Sequence, residues 1–172
     1  MERLQADDGA GGGPSQEALL LERARRGQVE ALGELYERYV DRLYRHAYYF
    51  TRDRQQAEEL THQAFLRAWE EMGSGRWRRR RLLPRLLGLV HELAAAHLGQ
   101  RGQGEAPVPG AGRRQDVLLA LLGLPAPQRL VLTLRFVDGL GYQEIAAALG
   151  QTKEAVLLLQ YRALSRLRRL LA

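Results

Sequence analysis

The stretch Tyr142-Gln143-Glu144-Ile145-Ala146-Ala147-Ala148-Leu149-Gly150-Gln151-Thr152-Lys153-Glu154-Ala155-Val156-Leu157-Leu158-Leu159 constrains this chain most, because it reads as a helix-turn-helix. Ile145 and Leu149 are four apart and Val156 and Leu159 three apart, so each half offers one apolar face to a shared core. Ala146 is small where the second helix must cross closely over the first. Gly150 falls where the turn asks for a left-handed backbone, and Thr152 where a hydroxyl can cap the second helix. An ordinary helical hairpin shares each feature singly. All of them in register, on a basic chain, favour DNA binding.

The charge balance points the same way. Among 172 residues, 26 are Lys or Arg and 20 are Asp or Glu, a net charge of +6 that favours polyanionic partners. Lys153 is the only lysine. Hydrophobic residues make up 45%, enough for a packed core, and their helical spacing predicts an all-α chain. The absence of cysteine excludes disulfides and thiolate metal sites and fits a reducing cytoplasm. His46, His62, His91 and His97 lack ligand spacing, and no phosphate loop or nucleophile elbow is present. No metal, cofactor or catalytic residue is therefore expected. No apolar run is long enough to insert in a membrane, and Met1 to Gly13 lacks the apolar core of a signal peptide, so a soluble, cytoplasmic protein is expected.

Along the chain, residues 1–13 end in Gly-Ala-Gly-Gly-Gly and read as a disordered tail. A helix is predicted from Pro14 and Ser15 to Arg26, and a longer one carries Leu32, Leu35, Tyr36, Tyr39, Leu43 and Ala47. A third starts at Asp53, with Ala57, Leu60, Ala64, Phe65, Ala68 and Trp69 along one face; a fourth spans Pro84 to Leu98. Residues 99–115 lose the apolar period and read as a flexible linker. Helices follow from Asp116 to Leu122 and from Pro125 to Val137, ahead of the helix-turn-helix. The expected architecture is two small helical domains, 14–98 and 116–172, the C-terminal one a helix-turn-helix.

Leu124-Pro125-Ala126-Pro127-Gln128-Arg129, then Leu134-Arg135-Phe136-Val137-Asp138-Gly139-Leu140 and Tyr142-Gln143-Glu144-Ile145-Ala146, closely resemble the C-terminal domain of bacterial sigma factors. The resemblance is strongest to the small two-domain extracytoplasmic-function group of the sigma-70 family. Leu35-Tyr36-Glu37-Arg38-Tyr39 and Ala57-Glu58-Glu59-Leu60-Thr61-His62-Gln63-Ala64-Phe65-Leu66-Arg67-Ala68-Trp69 are similar to that group's polymerase-binding region. The resemblance implies a non-enzymatic alternative sigma factor that binds core RNA polymerase through the clamp coiled coil and the flap. It also implies that the N-terminal domain reads one promoter box as single strand, that the C-terminal domain reads another as duplex, and that an anti-sigma factor is a further partner.

By the same resemblance, Asp53, Glu58, Glu59, Gln63, Phe65, Leu66, Arg67 and Trp69 are polymerase-binding positions. Acidic groups beside an apolar ridge suit a basic coiled coil, and Phe65 and Trp69, four apart, read equally as binding anchors or as core. Arg76-Trp77-Arg78-Arg79-Arg80-Arg81 lies where the family captures the melted strand; arginines neutralise phosphates and an indole stacks on an unpaired base. His91 and Arg101 complete the expected DNA positions of the first half. In the second half these are Gln143, Thr152, Lys153, Glu154, Leu157, Leu158, Tyr161 and Arg162. The family commonly has Gln and an acidic residue at His62 and Gln63, and Asn, Asp and a run of Arg around Glu92, Ala96 and Gly99-Gln100-Arg101. The changes at His62 and Gln63 alter the docking face, and those around Glu92, Ala96 and Gly99-Gln100-Arg101 remove donors and positive charge. With Val156, Leu159, Ala163, Leu167 and Leu170 as the buried stripe of the recognition helix, Glu154, Leu158, Tyr161 and Ser165 face outward. Leu157 and Leu158 can touch a thymine methyl, or they can form a protein contact. Two rival readings remain: a helix-turn-helix regulator, and a sigma-like adaptor that binds polymerase or an anti-sigma protein but reads DNA poorly.

Overall fold

Ser15 opens the first helix by accepting a hydrogen bond from the Ala18 amide at 3.3 Å, which satisfies one of the unpaired donors of a helix start. The computed structural model describes residues 15–75, 77, 81–101 and 111–172, and every regular element among them is an α-helix. These are α1 (Gln16–Arg25), α2 (Val29–Thr51), α3 (Arg54–Gly73), α4 (Leu83–Arg101), α5 (Ala111–Leu122), α6 (Ala126–Phe136), α7 (Tyr142–Leu149) and α8 (Lys153–Leu171).

The first four helices share a core. On α2, Leu35, Leu43, Ala47 and Phe50 are buried and face α3 and α4. On α3 the buried positions include Ala57, Ala64 and Ala68, whose small side chains allow a close approach to α2. Leu86, Leu87, Val90 and Ala94 of α4 close the core from the third side. Each fully buried Leu or Phe contributes about 1.5–3 kcal/mol relative to exposure, so the helical period alone goes far to specify this packing. Asp53 caps α3 by accepting from the Gln56 amide at 2.9 Å. Arg85 ties the end of α3 to α4, donating to both carboxylate oxygens of Glu71 and, at 3.1 Å, to Glu92.

The last four helices form the second unit, in which α8 lies across α5, α6 and α7. Val131, Leu134, Ile145, Val156 and Ala163 are its buried centre. Arg129 closes the end of α5 by donating to the carbonyls of Leu122 at 2.8 Å and Leu124 at 3.2 Å.

Two expectations shift. Residues 99–101 continue α4 and residues 111–115 belong to α5, so helix runs into both ends of the stretch read as linker. A single glycine near a helix end costs only about 1 kcal/mol, and Arg113, Arg114 and Gln115 are good helix formers. The nine positions between, 102–110, lie outside the described residues, as does the expected N-terminal tail. The two units also touch directly, α4 packing against α5, α6 and α7.

Candidate nucleic-acid and polymerase interface

The helix-turn-helix is built as its sequence requires. The Glu144 carboxylate accepts from the Gly141 amide at 2.7 Å and starts α7. Gly150 ends it at φ +64°, a left-handed conformation that costs a side-chain-bearing residue about 1–2 kcal/mol. Thr152 then caps α8, its hydroxyl accepting from the Ala155 amide at 3.2 Å. Gln160 donates to the Tyr142 hydroxyl at 3.1 Å and fixes α8 against α7, while the Arg135 guanidinium lies 5.0 Å from the Tyr142 ring centre.

On α8, Val156 and Ala163 are buried and Leu159 and Leu167 partly so, but Leu170, expected in the same stripe, is exposed. The outward face carries Lys153, Glu154, Leu157, Leu158, Tyr161 and Arg162, all exposed, with Tyr161 at 71%. Gln143 is exposed on the first turn of α7. This surface offers one early cation and several apolar contacts, so it can touch methyl groups and sugar edges better than it can donate to guanine.

On α3, Glu58, Glu59, Leu66 and Arg67 are exposed, Gln63 and Trp69 half-buried, and Glu59 accepts from Gln63 at 2.6 Å. Phe65 is 1% exposed, stacked obliquely between Tyr36 and Trp69. It therefore supports the ridge from within and does not itself reach a partner; Leu66, at 56%, is the apolar group on offer. Asp53 is spent largely on capping α3.

The positions expected to hold the melted strand are distributed differently. Arg76, Arg78, Arg79 and Arg80 lie outside the described residues, and so does the side chain of Arg101 at the end of α4. Trp77 is 5% exposed and joins the first core, its carbonyl accepting from the Arg25 guanidinium. Burial of so large an indole competes with stacking on a base, and in this arrangement it prevails. Arg81 is exposed but donates to the Ala147 carbonyl at 2.6 Å, at the C-terminal end of α7. There a guanidinium is favoured by the unpaired carbonyls and the helix dipole.

His91 is fully buried and cannot contact DNA in this arrangement. Instead it belongs to a buried polar chain that periodicity did not reveal. The Arg129 Nε donates to His91 Nδ1 at 3.1 Å, His91 Nε2 lies 3.3 Å from His46 Nδ1, and His46 Nε2 lies 3.1 Å from the Asp138 carboxylate. Arg45 donates to the same carboxylate at 2.7 Å, and Arg42 lies 3.4 Å from it. An arginine only donates, so His91 Nδ1 must accept; its proton then sits on Nε2 and points at His46, whose own proton sits on Nε2 and points at Asp138. Burial, then His46 and Arg129, hold the His91 ring well below its ordinary value and keep it neutral. Burial would raise the Asp138 carboxyl, but the His46 hydrogen bond and the cationic neighbours Arg42 and Arg45 outweigh it and keep the carboxyl below its usual range. His46 and His91 come from α2 and α4, Arg129 from α6 and Asp138 from the turn after it, partners 38 to 92 positions apart.

Comparison with known proteins agrees with this geometry. Residues 35–84 match the family model described as Sigma-70 region 2, and residues 114–167 that of Sigma-70, region 4; together they span more than half of the chain. The ECF RNA polymerase sigma factor BldN of Streptomyces coelicolor is 32% identical over 88% of this chain and 64% of its own length. The ECF RNA polymerase sigma factor SigD of Mycobacterium tuberculosis is 51% identical over 32% of this chain and 25% of its own. The chain thus spans less than two thirds of the length of these relatives. The structure of CnrH in complex with the cytosolic domain of CnrY shares the fold, with a TM-score of 0.52 at 22% identity over 90% of this chain and 96% of that one. On the paired region 2 and region 4 matches, joined in the order of the two helical units, the chain belongs to the sigma-70 family.

Proposed function

We propose that this chain is an alternative sigma factor that binds core RNA polymerase and directs promoter-specific initiation. The observation that carries the reading is the capped helix-turn-helix: Thr152 and Gly150 set α8 so that Lys153, Leu157, Leu158, Tyr161 and Arg162 face outward together. The α3 ridge supplies the polymerase contact, with Glu58 and Glu59 toward a basic coiled coil and Leu66 and Trp69 as its apolar component. Residues 14–98 act as the polymerase-binding and melting domain and residues 116–172 as the duplex reader. An anti-sigma protein is a further partner, for which the exposed leucines of α8 supply a surface. The test is reconstitution: core polymerase plus this chain should initiate at its promoter, and core polymerase alone should not.

A second reading has its own observation. Leu157 and Leu158 stand where donors would serve a DNA reader, and Arg81 is occupied at the Ala147 carbonyl. A sigma-like adaptor would bind core polymerase equally well yet support no promoter-specific initiation. The same reconstitution separates the two.

A further inference from the structure

The hydrogen-bonded chain crosses the boundary between the two helical units twice. Arg129 and Asp138, both of the C-terminal unit, grip the His46–His91 pair of the N-terminal unit from opposite ends. Asp138 has no exposed side-chain surface and is held by three groups of α2: His46, Arg42 and Arg45. A second contact lies at the turn of the helix-turn-helix, where Arg81 reaches the Ala147 carbonyl. Arg114 of α5 adds a third, donating to the Tyr49 carbonyl of α2 at 2.9 Å. We propose that this chain of side chains is an interdomain latch, which holds the helix-turn-helix closed on the N-terminal domain and opens when the histidine pair takes up a single proton.

The direction of every hydrogen bond dictates that response. The chain is complete with both rings neutral, each donating once and accepting once. A proton added to His91 would sit on Nδ1, against the Arg129 N–H. A proton added to His46 would sit on Nδ1, turning a donor onto the His91 N–H. Relaying it onward only returns the clash to Arg129. No single protonation leaves all the bonds intact, and every one adds positive charge to a site that already holds cations. The groups facing the pair are Asp138, Arg42 and Arg45 around His46, and Arg129 beside His91; Glu92 of α4 is the acid that acts on Arg129. The Phe50 ring lies nearly perpendicular to that of His91, at 5.3 Å between centres. Asp138 alone cannot offset the added charge, because it already accepts from Arg45 and His46 and is ion-paired with Arg42.

Opening exposes His91 to water and removes the burial that holds it neutral. For one proton the closed-to-open ratio then falls up to about tenfold per pH unit below the ordinary histidine value. Opening frees Arg81 from α7 and lets the two DNA-contacting units separate. The latch itself is independent of the proposed promoter-reading function; only its effect on DNA rests on that reading.

The full chain contains no cysteine, so Glu30→Cys and Arg166→Cys, both at exposed positions and one on each unit, accept a donor and an acceptor dye. Energy transfer should be high at about pH 7.5 and fall by about pH 5.5. Asp138→Ala should give the low value at both pH values, with helicity retained. Glutamine accepts and donates as a neutral histidine does but does not titrate, so His46→Gln with His91→Gln should remain closed at both. Binding of a fluorescein-labelled, random-sequence DNA duplex at low salt should strengthen about tenfold whenever transfer is low. Low transfer without stronger DNA binding would uphold the latch and overturn the DNA-reading role of α8. Transfer that is unchanged by Asp138→Ala, or an acid response that persists in the double glutamine variant, would overturn the latch. Should Asp138→Ala fail to fold, a transfer efficiency of the parent chain that stays flat over this pH range would overturn it alone.

Discussion

Phe65 and Leu66 are neighbours with opposite consequences. Phe65 is buried against Tyr36 and Trp69, so Phe65→Ala should cost about 3–5 kcal/mol in urea unfolding, the range for a large aromatic removed from a core. Leu66→Ala, on the open side of α3, should change stability by less than about 0.5 kcal/mol but reduce co-purification with core polymerase. An equal loss of stability at both positions would contradict this division. The buried side of α3 was legible, since Ala57, Leu60, Ala64, Phe65 and Ala68 follow the helical period. The fate of His91 was not, because nothing local marks a histidine whose partners are 38 and 45 positions away. Its neutrality has a sign that can be checked. With its pKa lowered by the fold, His91 contributes stability that is complete above the ordinary value of 6.5 and is lost as pH falls below it. The loss should approach about 1.4 kcal/mol per pH unit, and His91→Gln should abolish it. Asp138, whose pKa is also lowered, acts only below its own ordinary value of 3.8 and leaves this window untouched.

At the scale of the element, the helix-turn-helix was almost fully written in the chain. Gly150, Thr152 and the Ile145–Leu149 and Val156–Leu159 pairs occupy the places that local chemistry assigns them, because caps and turns depend on residues within a few positions. Thr152→Ala should therefore cost about 1 kcal/mol by thermal unfolding of the full chain. Gly150→Ala should cost about 1–2 kcal/mol for its left-handed backbone, and its added carbon would lie 2.8 Å from Arg81 Nε, so the Arg81 side chain must also move. The arginine-rich stretch before α4 was less legible. Charge and an indole suggested a strand-capture loop, but Trp77 is drawn into the core by the apolar surface of the first four helices, which no window around it displays. On α3, Glu58→Lys with Glu59→Lys should weaken co-purification with core polymerase roughly tenfold or more and leave the fold intact, since both are exposed. Undiminished binding would move the polymerase contact elsewhere.

For the whole molecule, the decisive length is the chain between α4 and α5. Read from sequence, residues 99–115 could reach roughly 55–60 Å when extended, at about 3.3–3.6 Å per residue. Because α4 ends at Arg101 and α5 begins at Ala111, the steps available between them shorten that reach to roughly 33–36 Å. One turn of B-DNA spans about 34–36 Å, so separate engagement of two boxes uses almost all of it. In the closed arrangement α4 packs against α5. Deleting four of residues 102–110 would leave roughly 20–22 Å, too little for two boxes a helical turn apart. Such a variant should keep its helicity and its co-purification with core polymerase, which we propose to rest on α3. It should lose initiation at the promoter where the parent chain initiates. Initiation restored by replacing the four residues with any flexible sequence would locate the effect in length and not in composition. Normal initiation by the shortened chain would mean that the two units read the promoter while still packed together.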